Sequence, residues 1–577
     1  MKRMFERRRR LLGFSLGVAT ALSVLMPIQS AQAATGLEPL DTASFQLTRI
    51  GADNTDLIKS VEATLGADKV APVTEVLGGR TGRANLCHGT GVNWALKVDG
   101  FCWDEDDDKS GYTDEPLGGW MPQGFAGAHA ATPDGLYAGR HLYATSWYFG
   151  KFRNGDPGED YTRISIAEST GDRVTYGHIA LVEPTSGGFK QLRYKSHADG
   201  VAWYGDRLFV ANGVELQVYD LTHIWRMDDT TRGDTGLIDG KTSARFHRWA
   251  LPLVARYSTY TKAGKDPTEP FPGANPRSCG PANDELCLST VSVDRSDSPS
   301  LVSAENRKGA GGRIVHWPLA DLGVGAPTVV PALQKGYTSP VYNMQGIATD
   351  GTDYYMSGDC PETWPGYKTY SCIHVAGPGD APHVKTQAPW LTQGLSWDPH
   401  AKRLWGANEA LKDTNGNGRR VVFSLDPHAG RTVDGWGWLA NHNRPGSVCA
   451  TPQSDDTADG TPVTVWTCTG AESQRWAFRD GRIVHKMSGK CLTPKGDASD
   501  VDGTVLTLWT CNPASNSQKF SPGVGAIVNS SGKAITPKGN EFINGAWLTL
   551  WTASPDPSRP EKPDQHDVVQ EWAVTGF

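Results

Sequence analysis

From residue 87 to about residue 425 the chain alternates short apolar runs with polar turns, and the alternation repeats. Each unit opens on a small polar-Gly-apolar step: Gln123-Gly124-Phe125, Asp199-Gly200-Val201, Gln345-Gly346-Ile347 and Gln393-Gly394-Leu395. Behind each step comes an apolar run that ends in small residues, as in His141 to Ser146, Arg207 to Ala211, Tyr354 to Ser357 and Arg403 to Ala407. A third run follows in Arg163 to Ile166, Leu216 to Tyr219, Cys372 to Val375 and Arg420 to Phe423. Arg313-Ile314-Val315-His316 fits the same third place in a unit whose opening step has diverged. Runs of this length, rich in β-branched and aromatic residues and bounded by Gly and Pro, predict strands.

Strand, turn, strand, loop, strand at roughly fifty residues is the signature of β-propeller blades, and a sandwich with coincidental Gln-Gly turns is the competing fold. The 146 residues between Asp199 and Gln345 hold about two units and an insertion, so five or six blades are expected. Upstream, residues 35–86 predict one helix around Thr55 to Leu65 and form a separate N-terminal segment. Downstream, 426–438 reads as a linker because of Pro427, Gly430, Gly435 and Gly437.

Residues 439–577 carry a second and sharper repeat. Val/Leu-Thr-Val/Leu-Trp-Thr ends on Trp466, Trp509 and Trp551, which stand 43 and 42 residues apart. A Gln-x-aromatic triplet follows each one: Gln474-Arg475-Trp476, Gln518-Lys519-Phe520 and Gln570-Glu571-Trp572. Three such units suit a closed threefold all-β body, because closure removes exposed sheet edges. With Asp459-Gly460-Thr461 and Asp502-Gly503-Thr504 inside the first two copies, this third of the chain resembles the ricin-type β-trefoil lectins. The resemblance implies that Trp476, Phe520 and Trp572 are buried about a threefold axis. It also implies that sugars are held by a platform aromatic (Trp466, Trp509 and Trp551) together with an acidic residue two places after the first cysteine of each copy. Those acidic places read Thr451, Thr493 and Thr536 here, and the polar places before the platforms read Thr464, Thr507 and Thr549. The resemblance therefore points to a polysaccharide or other glycan as partner, with a neutral hydroxyl where a carboxylate would make the stronger bond.

Composition narrows the class. With 577 residues, Gly 66, Pro 37 and only 21% charged residues, an all-β protein of two or more domains is expected. A net charge of -7 gives no basic face for nucleic acid. Residues 1–34 read as an export signal: Arg7 to Arg10, an apolar run from Leu11 to Ile28, and Ala31-Gln32-Ala33 as cleavage site. A secreted, extracellular monomer without a membrane anchor is expected. The ten cysteines agree with an oxidising compartment, and nearest neighbours pair as Cys87–Cys102, Cys279–Cys287, Cys360–Cys372, Cys449–Cys468 and Cys491–Cys511.

Two places outside the trefoil offer chemistry. Asp106, Asp108 and Ser110 at alternate positions, Gly111 at the sixth and Asp114 at the ninth copy the first half of a calcium loop, although Leu117 stands at the twelfth. Asp413 to Gly418 repeats the spacing. Calcium is the one cofactor these patterns suggest, against solvated surface turns as the plainer alternative. In a propeller, Gln123, Asp199, Gln345 and Gln393 would begin the innermost strands, where with His197 they would face a central channel. No nucleophile elbow, HExxH helix or phosphate loop is present.

Overall fold

The structure is a computed structural model describing residues 36–92, 96–109, 119–149, 161–192, 196–259, 286–309, 311–361, 370–410, 418–429, 436–441, 448–479, 481–522, 526–553, 570 and 572–574. The export signal and the Cys279–Cys287 pairing lie outside these residues. The other four disulfides, Cys87–Cys102, Cys360–Cys372, Cys449–Cys468 and Cys491–Cys511, are formed.

Among the described residues, five four-stranded antiparallel blades lie between Asp99 and Leu425. Blade 1 is Trp120–Gly127, Leu142–Phe149, Thr162–Ser169 and Val174–Thr185. Blade 2 is Gly200–Tyr204, Arg207–Asn212, Glu215–Asp220 and Trp249–Ser258. Blade 3 is Thr290–Asp294, Ser300–Ala304, Gly312–Pro318 and Gly336–Ser339, which gives Arg313 to His316 its expected third place. Blade 4 is Gly346–Thr349, Tyr354–Asp359, Ser371–Ala376 and His383–Ala388. Blade 5 takes Thr392–Asp398, Arg403–Asn408 and Val422–Leu425 from late in the chain, and Asp99–Phe101 as its outer strand. The five first strands neighbour one another in a closed cycle, so the fold is a five-bladed propeller rather than a sandwich. Borrowing Asp99–Phe101 for the last blade ties the two ends of the ring together and covers an edge.

The repeated glycine has a steric cause. A Cβ on Gly124 would lie 2.1 Å from the Val201 backbone nitrogen, one on Gly346 2.2 Å from the Gln393 carbonyl oxygen, and one on Gly394 2.5 Å from the Phe125 nitrogen. Successive inner strands thus approach too closely for a side chain. Gly394→Ala is expected to lower stability by about 1–3 kcal/mol, as overpacking does. Gly187→Ala, whose Cβ would meet nothing within 4 Å, is expected to stay within about 0.5 kcal/mol of wild type. Urea midpoints of the two variants check this.

The helix Thr55–Leu65 forms where the pattern predicts it and buries Ile58 and Val61. The rest of 35–86 is not a segment apart. Gln46–Arg49 pairs with Trp249–Ser258, Val70–Ala71 with Ile224–Arg226, and Arg80–Gly82 with Val174–Thr185. This stretch lacks periodicity because short strands added to existing sheets need only a few residues of their own.

The last third forms a β-trefoil of three four-stranded copies. They begin at Gly437–Asn441, Arg482–His485 and Ile527–Asn529, and the final strand Trp572–Val574 returns to pair with the first. Trp476, Phe520 and Trp572 lie buried in one core cluster with Leu439, Val465, Leu508 and Leu550. Among the described residues, no helix is long and apolar enough to cross a membrane.

Candidate functional site

In each trefoil copy a strand rises out of the core and ends on an indole. Trp466, Trp509 and Trp551 are 43, 48 and 44% exposed, whereas Trp476 and Trp572 are buried. The flat faces needed to pack against sugar rings are therefore presented three times, at equivalent positions.

The threonines at the expected acidic positions are not beside them as ligands. Thr451, Thr493 and Thr536 are buried. Their hydroxyls accept hydrogens from the amide nitrogens of Gln474, Gln518 and Gln570, at 3.1, 3.0 and 3.1 Å. They also donate to the carbonyls of Cys449, Cys491 and Ala534. Thr464, Thr507 and Thr549 donate in turn to the carbonyls of Thr451, Thr493 and Thr536. Each Gln of the Gln-x-aromatic triplet thus locks its own copy through a threonine. Those six hydroxyls are consumed by the scaffold, which corrects Thr451, Thr493 and Thr536 from sugar contacts to structural residues.

The polar partner beside each indole comes from another copy instead. Asp459 accepts from the backbone nitrogen of Thr510, next to Trp509, at 2.8 Å, and pairs with Lys490 at 2.9 Å. Asp502 repeats this with Thr552, next to Trp551, at 2.7 Å, and with Lys533 at 2.8 Å. Asn544 takes the same place beside Trp466 through the Thr467 nitrogen at 2.9 Å. Gly460 and Gly503 let these loops lie against the rings: a Cβ on them would stand 3.4 Å from Trp509 and 3.8 Å from Trp551. Val448 occupies in the first copy the place that Lys490 and Lys533 occupy in the others, so the neutral Asn544 stands where no lysine balances a carboxylate. The Asp-Gly pairs were visible in the sequence, but their service to the next copy was not.

In the propeller, three of the five expected channel residues are brought into one polar chain. Gln393 donates to Glu409 Oε2 at 2.8 Å, and the Tyr148 hydroxyl donates to Glu409 Oε1 at 3.2 Å. The Tyr148 ring packs on His197 with centroids 3.8 Å apart, and His197 Nδ1 lies 2.5 Å from Asp199 Oδ1. Gln123 is buried with its amide turned to the Pro122 carbonyl, and Gln345 joins no side-chain hydrogen bond of the set among the described residues. Tyr148 is the last residue but one of the second strand of its blade, and Glu409 follows that of blade 5. Only the fold reveals that these strand ends share a level with the opening steps.

The acidic run at 104–108 does other work. Glu105–Lys109 is helical, so alternate residues point apart. Asp106 is 82% exposed, while Asp108 is 4% exposed and bonds Arg83, His88 (2.7 Å) and the Arg420 backbone nitrogen (2.9 Å). Asp106 and Asp108 therefore do not converge on an ion; Ser110, Asp114 and most of the second loop lie outside the described residues. Asp107 is buried against Arg163 (2.7 Å), Tyr176 (2.7 Å) and His178 (2.9 Å). Burial alone would raise its carboxyl, but the charges around it hold it well below the usual range. His178 is brought down to about 4 by burial and by Arg163, so Arg163 carries the balancing charge.

Residues 406–557 match the ricin-type beta-trefoil lectin domain model. The match opens inside the last propeller blade and stops short of the closing strand Trp572–Val574. The chain thus carries a ricin-type trefoil behind a propeller, and a ricin-type lectin domain supports carbohydrate binding. The probable lipoprotein EnvE of Salmonella typhimurium is 40% identical over 47 residues, 8% of this chain and 27% of that protein. The chain thus spans about a quarter of the curated relative it matches. Among solved structures, the C-half of the earthworm R-type lectin in complex with GalNAc is 12% identical with a TM-score of 0.19, covering 24% of this chain and 97% of that one. A GH43 beta-1,3-galactosidase is 11% identical with a TM-score of 0.28, covering 79% of this chain and 94% of that one.

Proposed function

We propose that this is a secreted, monomeric carbohydrate-binding protein whose trefoil holds an extracellular or cell-wall polysaccharide. The observation that carries this reading is the set of three equivalent exposed indoles, Trp466, Trp509 and Trp551, on a fold that buries its other repeat tryptophans. Each platform alone makes a weak contact. Three on one rigid body gain from a polymeric ligand, because the second and third contacts form intramolecularly. The four disulfides fit an extracellular setting.

The test is depletion of the full chain from solution by insoluble xylan, chitin, cellulose and cell wall, with soluble sugar measured in the same tubes. Depletion by at least one polymer, without release of sugar, is the expected result. Depletion by none of them overturns the reading. Release of sugar favours a second reading, in which a propeller enzyme is targeted by the trefoil.

A further inference from the structure

His197 is held as a catalytic imidazole is held. Its Nδ1 points at Asp199 Oδ1, while Asp199 Oδ2 accepts from the Gly213 backbone nitrogen at 3.0 Å and so cannot swing away. Its own backbone nitrogen donates to Asn212 Oδ1 at 2.8 Å, and Tyr148 covers one ring face. The remaining nitrogen, Nε2, has no hydrogen-bond partner among the described residues, and the side chain keeps 15% of its surface exposed. Three other histidines have both nitrogens engaged, His178 by Ser165 and Asp107, His316 by Ser300 and Tyr354, and His485 by Ser488 and Ser473. His88 and His223 also rest one nitrogen on a carboxylate, Asp108 and Glu62, but without the Tyr148 ring and the Gln393–Glu409 chain that adjoin His197. A carboxylate that fixes one nitrogen and leaves the other open is the arrangement that orients a general base.

The neighbours decide which reaction this base can serve. Glycoside cleavage needs a carboxylic acid that delivers a proton to the leaving oxygen. Here both oxygens of Asp199 and both of Glu409 already accept hydrogens, from His197 and Gly213 and from Tyr148 and Gln393. Each carboxyl is thus engaged on both oxygens as an acceptor. Of this set, His197 Nε2 is the proton-accepting atom left without a partner among the described residues.

We propose that the His197–Asp199 pair of the propeller forms a hydrolytic site for carboxylic esters, with His197 as general base and Asp199 as its positioning residue. His197 Nε2 takes a proton from water as the water oxygen bonds to the ester carbonyl carbon. The tetrahedral intermediate collapses with cleavage of the carbonyl carbon to alkoxy oxygen bond. The departing alkoxide takes the proton back from the imidazolium, so one ester and one water give one acid and one alcohol. Acyl groups carried on a polysaccharide are the substrates such a site would meet, and this last step alone rests on the carbohydrate reading.

Two probes used on the full chain separate the claims: p-nitrophenyl acetate, which needs no trefoil, and O-acetylated xylan. Wild type is expected to release p-nitrophenol and acetate. His197→Gln is expected to lose about a hundredfold or more of kcat/KM on the small ester, the usual contribution of a general base. Its thermal transition and its depletion by polysaccharide should be unchanged. Asp199→Asn is expected to lower kcat on the small ester with KM little changed, and Asp199→Glu to restore part of it, a split that a purely structural role would not produce. Turnover by His197→Gln equal to wild type, or no turnover by wild type above the buffer rate on either ester, overturns the proposal whether or not the trefoil binds polymer. Turnover of the small ester without depletion by any polysaccharide keeps the propeller site and overturns only the polymeric substrate.

Discussion

Acidification from about pH 7 to about pH 4.5 is expected to unfold the propeller. Burial brings His129, His178 and His374 down to about 4, and His247 and His316 down to about 3. Arg163 adds to the effect at His178 and His247, and Lys335 at His316. Each imidazole is neutral in the folded chain and takes a proton readily only once unfolded. A depressed folded value contributes stability that is complete above the unfolded range, near 6.5. That stability drains as the pH falls toward the folded value, since the unfolded state then binds more protons. Each histidine costs up to about 1.4 kcal/mol per pH unit in this window. Five together approach the whole stability of a domain, about 5–15 kcal/mol, before pH 4 is reached. Urea denaturation at half-unit pH steps, followed by tryptophan fluorescence, checks the slope. A midpoint that stays constant from pH 7 to pH 5 would show that these histidines are solvated in the native protein.

The same network shows where the sequence was readable and where it was not. The blades and the trefoil were legible because each is written several times over: the Gly of the inner strand recurs wherever two backbones nearly touch, and Gln-x-aromatic recurs at each trefoil copy. Asp107 was not legible. Its run of acids is spelled the same way in an ion loop and in a helix that feeds one carboxylate to a buried arginine, and Arg163 stands 56 residues away. Arg420, whose backbone nitrogen donates to Asp108, is 312 residues away. Asp99–Phe101 is too short to announce itself as the strand that ties the ring. In the trefoil, Thr451, Thr493 and Thr536 aligned with a ligand position, but only their bonds to Gln474, Gln518 and Gln570 show that the hydroxyls are already used. Tyr148 and Glu409 belong to no motif, and the fold alone sets them beside His197 and Gln393.

Replacing Trp466, Trp509 and Trp551 together by alanine is expected to abolish retention on polysaccharide while leaving the fold intact. The indoles are exposed and lie outside the core that Trp476, Phe520 and Trp572 fill, so their loss opens no cavity. Each ring supplies the flat apolar face against which a sugar ring packs. The loss of three such faces compounds on a multivalent ligand, where each contact also raises the effective concentration of the next. Single replacements separate the platforms. Trp509→Ala and Trp551→Ala, beside Asp459 and Asp502, are expected to weaken binding more than Trp466→Ala, whose neighbour Asn544 offers only a neutral acceptor. The direct measurement is the depletion isotherm of the triple variant beside wild type on the polymer that wild type binds best, with both melting curves recorded. A wild-type isotherm that saturates, a triple variant that remains in solution, and superimposable melts are expected. Equal depletion of the two proteins would contradict this and place the carbohydrate contact away from the three indoles.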